Sequence, residues 1–414
     1  MARSRRMYLI IVGTILIVAV VVGVFYYVFN RGGVGEVVYG KPVDSYTVFS
    51  LELLKRSGLG RNNTVVSPLS IYIALLMLTE GCGSDTRAEL MKTLYLSSMS
   101  DARSWFKDVL NDMLNVSDPA RSSVANSIWV QEGFPINKSY VELLEKYYYA
   151  EAKYVDFVHN PSHVVRMIND WVSNKTYDLI KRIVDESSID PLTRIVLVNT
   201  LYFKANWTTP FESIIKDKFY SPRGEVDVDY LTGTQEVYLV ETNDYISLAL
   251  GYKGTDIKFV VIMPKNGDLE GFVSSLKGKD LLGIFDELFS KKPVEAKLYL
   301  PVFDIDSGVI SYKKVLRDMG IVKVFDPDQA DLSPMLANNA KILYVDDVLH
   351  RARMKITIYG TEAAAATAII IKLTAIPQEL ENIWINKPFL FFLVDPGNNA
   401  ILFAGSYLYP PQQQ

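Results

Sequence analysis

Three histidines, one cysteine and no familiar nucleophile context limit the chemistry open to this chain of 414 residues. His159 and His163 stand four apart around Pro161. That spacing could begin a metal site, but no cysteine or carboxylate cluster completes it. They read as solvent-exposed loop residues, and no metal is expected. Neither these two nor His350 lies in a Gly-x-Ser-x-Gly or His-Glu-x-x-His context, so a Ser/His/Asp hydrolase is not supported. Cys82 alone can form no intramolecular disulfide, and outside a cell the protein must be stabilised by packing. The expectation is a protein with no catalytic residue and no cofactor.

The stretch that stands out is of another kind. Gly360–Ala375 runs Gly-Thr-Glu-Ala-Ala-Ala-Ala-Thr-Ala-Ile-Ile-Ile-Lys-Leu-Thr-Ala. Alanine is the best helix former, which would make this a surface helix or linker. The alternation suggests more, because successive side chains of a strand point to opposite faces. One face would carry Thr361, Ala363, Ala365, Thr367, Ile369, Ile371 and Leu373, without a charge. The other would carry Glu362, Ala364, Ala366, Ala368, Ile370 and Lys372, with both charges. Such a segment can stand exposed as a loop and can also enter a sheet without burying a charge.

The elements around it alternate between helix and strand. Asp44–Ser57 reads as a helix, and Ser67-Pro68 opens another, with Ser67 capping the free amides and Pro68 at the first helical position. Thr86 and Glu89 have capping-box spacing for a third helix, and a less regular helical stretch continues to about Asn115. Tyr140–Tyr149 and Val164–Thr176 are helical, and Asn126–Val130 is strand-like. Arg194–Phe203 is almost continuously apolar, as in a strand covered on both faces. Asn199 interrupts it, and a buried amide needs a hydrogen-bond partner. Ile257–Met263 and Ala296–Pro301 are further strands, with Leu269–Ser290 largely helical between them and a short helix at Tyr312–Met319. Lys341–Ile358 reads as mostly strand. Phe389–Asp395 and Ala400–Gly405 form a hairpin through Pro396-Gly397-Asn398-Asn399.

Several of these stretches carry a family resemblance. Gly360–Thr367 resembles the hinge of the reactive-centre loop of inhibitory serpins, and Asn386-Lys387-Pro388-Phe389 is similar to the motif that closes that loop. Ser67-Pro68-Leu69-Ser70-Ile71, Lys204-Ala205-Asn206-Trp207 and the run Gly-Ile-Val-Lys-Val-Phe-Asp from Gly320 also follow the family pattern, in family order. The resemblance covers about Val43 to Pro410. It implies an α+β serpin fold over 43–414: a large central, mostly antiparallel sheet, further sheets, surrounding helices, and an exposed reactive-centre loop over 360–385. It implies an irreversible suicide inhibitor of serine proteases, which traps the acyl-enzyme when the cleaved loop inserts into the central sheet. The hinge residues are then Gly360, Thr361, Glu362, Ala363, Ala364, Ala365, Ala366 and Thr367. Family spacing places the reactive bond at Thr374–Ala375, suiting an elastase-like or subtilisin-like target. A cut after Leu373 would suit a chymotrypsin-like enzyme, and one after Lys372 a trypsin-like one.

The resemblance further gathers Ser67, Ser70, Asn199 and His350 into a polar cluster where the sheet opens, and buries Trp207 at the sheet top. It also exposes one departure. A glutamate two residues before the hinge glycine commonly pairs with a lysine on the neighbouring strand, and here those positions hold Ile358 and Val302. An apolar pair in place of a half-buried ion pair is often neutral or stabilising, so the sheet top should stay closed. The alternative is a non-inhibitory serpin, a binding or chaperone-like module, in which a hinge alanine could be replaced without effect.

With 49% hydrophobic residues the chain can bury a large core, and its net charge of −4 without a charge block points to no nucleic-acid partner. Met7–Phe29 has no charge and is preceded by Arg3, Arg5 and Arg6. At about 1.5 Å per residue it spans a bilayer of about 30 Å. It reads as an uncleaved signal-anchor rather than a signal peptide, with residues 1–6 cytoplasmic, 30–42 a glycine-bearing linker, and the body on the extracellular face, membrane-anchored or secreted. The expected partners are a serine protease and, through that segment, the membrane; the body is expected to be a monomer.

Overall fold

The computed structural model describes residues 41–189, 192–361 and 380–410. Helix α1 (Pro42–Arg56) starts on a proline, with Asp44 in its first turn facing the free amides. In α2 (Pro68–Glu80) the Ser67 hydroxyl accepts from the Ser70 amide at 3.2 Å. This helix is apolar all round and almost wholly buried, the condition for such a pattern to be stable. Helix α3 (Ser84–Thr93) corrects the capping-box expectation, because Gly83 is its cap. The Thr86 hydroxyl instead accepts from the Asp331 amide at 2.9 Å, and Glu89 accepts from the amides of Val322 and Lys323, each at 2.7 Å. Both side chains hold a distant loop rather than their own helix.

Helix α4 (Met99–Leu114) is more regular than its sequence suggested, with Ser98 as its cap. Helices α5 (Lys138–Tyr148) and α6 (Pro161–Lys175) fall close to expectation. The 269–290 region splits into α7 (Leu269–Ser275) and α8 (Gly278–Ser290), and α9 (Lys313–Asp318) is short. Lys341–Ile358 is a second correction. Only Leu349–His350 and Arg353–Ile356 are strands. Before them Asp347 binds the Val348 amide and the Ser311 hydroxyl, each at 2.7 Å, and such local bonds compete with a ladder.

Among the described residues the strands form one nine-stranded, one six-stranded and one two-stranded sheet. The nine-stranded sheet contains Phe389–Asp395 and Ala400–Tyr407, buried along their whole length and paired antiparallel as the hairpin signal required. The six-stranded sheet runs Phe303–Asp306, Arg353–Ile356, Gly360–Thr361, Ile195–Asn206, Arg121–Gln131, Ala150–Val155. All its ladders are antiparallel except the last. A single large apolar core lies among these sheets and helices, and a smaller one lies under α6. This is the expected α+β architecture. Met7–Phe29 and the rest of residues 1–40 lie outside the described residues, among which no helix is long and apolar enough to cross a membrane.

Candidate functional site: the hinge and the sheet opening

The chain turns at Thr357–Gly360, and Gly360–Thr361 then runs antiparallel to both neighbours. Thr361 pairs with Ile356 on one side and Ala205 on the other. Glycine is required at the turn, because a Cβ on Gly360 would collide with the Ala205 carbonyl. Among the described residues no ladder joins Arg353–Ile356 directly to Ile195–Asn206; the two are linked through Gly360–Thr361. Gly360–Thr361 therefore stands between two strands that do not otherwise pair.

Trp207 holds this turn. Its indole Nε1 donates to the Thr357 carbonyl at 3.0 Å, and its amide donates to the Tyr359 carbonyl at 2.9 Å. The ring is fully buried and stacks on Tyr252, with centroids 4.6 Å apart. The Tyr252 hydroxyl in turn meets the Thr361 hydroxyl, and burial pushes its pKa far above the usual phenol range. Ile358 and Val302 are both half-buried against the main core. Phe303 pairs with Ile356, so these two positions lie just past the last paired residues of neighbouring strands. Neither position brings a charge to this end of the sheet.

Lower down, the four polar residues predicted to meet do come together, in a chain rather than a knot. His350 Nε2 accepts from the Ser67 amide at 3.1 Å, so that nitrogen carries no proton. Burial pushes the His350 pKa down to about 4. The Ser67 hydroxyl donates to the Leu402 carbonyl at 2.7 Å while it caps α2. The Ser70 hydroxyl donates to Asn199 Oδ1, and Asn199 Nδ2 donates to Asn126 Oδ1. Every member is at least nine-tenths buried, and the partner that a buried Asn199 demanded is present.

Asn126 and Tyr252 are the members that sequence reasoning missed. Asn126 lies opposite Asn199 in the Arg121–Gln131 ladder. A second asparagine in a strand-like run was visible, but only the register pairs them. The hinge residues Glu362, Ala363, Ala364, Ala365, Ala366 and Thr367, and the candidate reactive positions Lys372, Leu373, Thr374 and Ala375, lie outside the described residues. His159 Nδ1 lies 3.1 Å from Asp156, and His163 is exposed at the start of α6. No group of three His, Cys, Asp or Glu side chains able to hold a metal occurs among the described residues.

A turn held by a tryptophan, a short strand set between two others and a chain of buried polar side chains make up the candidate site. The family model for "Serpin (serine protease inhibitor)" matches residues 44–410. The chain belongs to the serpin family. It is 35% identical over 384 residues to an uncharacterised serpin-like protein of Thermococcus kodakarensis, covering 89% of this chain and 86% of that one. It is 32% identical over 361 residues to mouse antithrombin-III, covering 84% and 77% of the two chains. The crystal structure of the thermophilic serpin tengpin in its native state superposes with a TM-score of 0.77 at 28% identity, covering 89% of this chain and 94% of that one.

Proposed function

We propose that this protein is an irreversible inhibitor of serine proteases that works by loop insertion. The observation that carries the reading is the placement of Gly360–Thr361 between two strands that are not otherwise paired to each other. In this reading the protease serine attacks the Thr374 carbonyl, expels the Ala375 amine and stays joined to Thr374 as an ester. The freed hinge then continues the strand that Gly360–Thr361 begins. About fourteen residues at about 3.3 Å each carry the tethered protease some 45 Å, and its active site is distorted before water completes the reaction. The chain contributes a bait and a fast insertion, with no catalytic group of its own.

The alanines after Thr361 support this reading, since they can enter a sheet without a buried charge or a proline to stall them. Thr374 at the cut favours an elastase-like or subtilisin-like target, with a chymotrypsin-like enzyme if the cut follows Leu373. The uncharged Met7–Phe29 run, with its preceding arginines, supports a body held at the outer face of a membrane. The test is a panel of serine proteases mixed with the full chain in detergent and run on a denaturing gel. A complex that survives denaturation, with release of a peptide beginning at Ala375, is the expected result. If every protease clips the loop and leaves free, the inhibitor reading fails for that panel and a non-inhibitory binding role replaces it.

A further inference from the structure

The polar chain at the sheet opening does not stop at Asn126. Asn126 Nδ2 donates to the Tyr148 backbone carbonyl at 2.6 Å. Tyr148 ends α5, where a helix leaves its last carbonyls without intrahelical partners. Tyr149 follows at φ 51°, in the left-handed region, and turns the chain straight into the Ala150–Val155 strand. The Tyr148 side chain runs the opposite way, into the core, and its hydroxyl donates to Glu80 Oε1 at 2.9 Å. Burial and the neighbouring carboxylate hold its pKa far above the usual phenol range, so the hydroxyl keeps the proton it donates.

Glu80 is the last residue of α2, and its carboxylate is almost wholly buried. Arg103, from α4, clasps both of its oxygens at 2.5 and 2.6 Å and supplies the opposite charge that a buried carboxylate requires. Helix α2 therefore grips one three-strand block at both of its ends. Ser70, in the first turn, holds Asn199 of Ile195–Asn206. Glu80, ten positions on, holds Tyr148, whose carbonyl holds Asn126 of Arg121–Gln131. At about 1.5 Å per residue the two grips are about 15 Å apart. If the sheet opens by sliding this block over α2, both grips must yield. A hydrogen bond to a carboxylate is about twice as strong as a neutral one, so the Glu80 grip is the stronger.

We propose that the Tyr148 hydroxyl on Glu80, with Arg103 as counter-charge, is a second latch on the six-stranded sheet that sets how fast it admits a new strand. Tyr148 is a positioning residue that acts through Asn126 and Asn199. The inference rests on the loop-insertion reading and adds a control element to it. Its position has a regulatory consequence: Arg103 reaches the surface on α4, so a change at α4 is transmitted to the sheet opening through three side chains.

The test uses the full chain in detergent and a synthetic peptide with the sequence of residues 361–374, whose uptake is followed by native-gel mobility and by the rise in melting temperature. Tyr148→Phe removes the hydroxyl and leaves Glu80 paired with Arg103. It should admit the peptide about tenfold faster than wild type, the change expected for losing one charge-assisted bond. Phe106→Leu loosens the ring that stacks on Tyr148, at 5.6 Å between centroids, and keeps the latch. It should lower stability and leave the uptake rate unchanged. Unchanged uptake in Tyr148→Phe, or equal acceleration in both variants, overturns the latch and leaves loop insertion standing. A wild-type chain that takes up no peptide at any temperature below unfolding overturns loop insertion, and the latch with it.

Discussion

The two large sheets of this protein are built on opposite terms. In the nine-stranded sheet, Phe389–Asp395 and Ala400–Tyr407 are buried throughout. Phe389, Phe391 and Tyr407 pack there around Phe303, which comes from the neighbouring sheet. Burial of this kind has no substitute partner: moving a strand away exposes its full apolar area to water. In the six-stranded sheet, Asn126 and Asn199 are instead joined to each other by a side-chain hydrogen bond, and Asn199 to Ser70 of α2, with Ser67 bonded to both Ser70 and His350 beside them. Hydrogen bonds can be traded one for one with an arriving strand, which is what the proposed insertion would require of this sheet. In the proposed reading, the part that stays is held by area and the part that moves by a few exchangeable bonds.

The far side of the opening is stiffened differently. Arg353 pairs with Asp304 at 2.8 and 2.9 Å, and Arg351 with Asp306 at 2.7 and 3.1 Å, across the Phe303–Asp306 and Arg353–Ile356 strands. In the proposed reading these two strands should move as one unit, so that the sheet parts along the line where Gly360–Thr361 stands.

The sharpest way to break the contrast is to charge the movable side. Thr361→Arg places a guanidinium where the native side chain is buried against Tyr252. It should abolish the covalent protease complex while leaving the loop cleavable, as read from complex and cleaved bands on a denaturing gel. Undiminished trapping would remove Thr361 from the insertion path. Next in size is Phe391→Ala, on the permanent side. It should cost about 3–5 kcal/mol in urea unfolding. Peptide uptake by the folded protein should stay at the wild-type rate; a matching rise would show that the two sheets are not separable.

His350 gives a pH-dependent effect. Its pKa is near 6.5 in an unfolded chain and about 4 when folded, so between those values the unfolded state holds the extra proton. Stability is full above pH 6.5 and falls as the pH drops, by about 3 kcal/mol at pH 4. His350→Gln keeps an acceptor for the Ser67 amide and should remove that slope in urea midpoints taken across the window; an unaltered slope would assign it to other groups. The smallest effect is expected from Arg353→Met, because its ion pair with Asp304 is about a third exposed on both sides. A loss below ~1 kcal/mol, shrinking further in high salt, is the expected result. A larger, salt-insensitive loss would mean that the strand pair depends on the ladder more than its exposure suggests.

Much of this contrast is legible in the chain. The buried hairpin announces itself by two apolar runs around Pro396-Gly397-Asn398-Asn399, and α2 by a Ser-Pro start before an unbroken apolar stretch. Asn199 declares a buried partner simply by interrupting such a run. Thr86 and Glu89 misled, because capping-box spacing is a local signal and their partners, Asp331, Val322 and Lys323, come from far along the chain. Lys341–Ile358 misled for the reverse reason, a local bond at Asp347 outweighing strand propensity.

What the sequence by itself determined is what short-range physics can encode. That comprises the cap that starts α2 and the turn that closes the last hairpin. Only the tertiary structure decided which polar groups meet. Asn126 reaches Asn199 through strand register, and Glu80 reaches Tyr148 and Arg103 through the packing of three helices. A hydrogen bond is made or lost over less than an ångström, and no local pattern of residues specifies distances across a fold that finely.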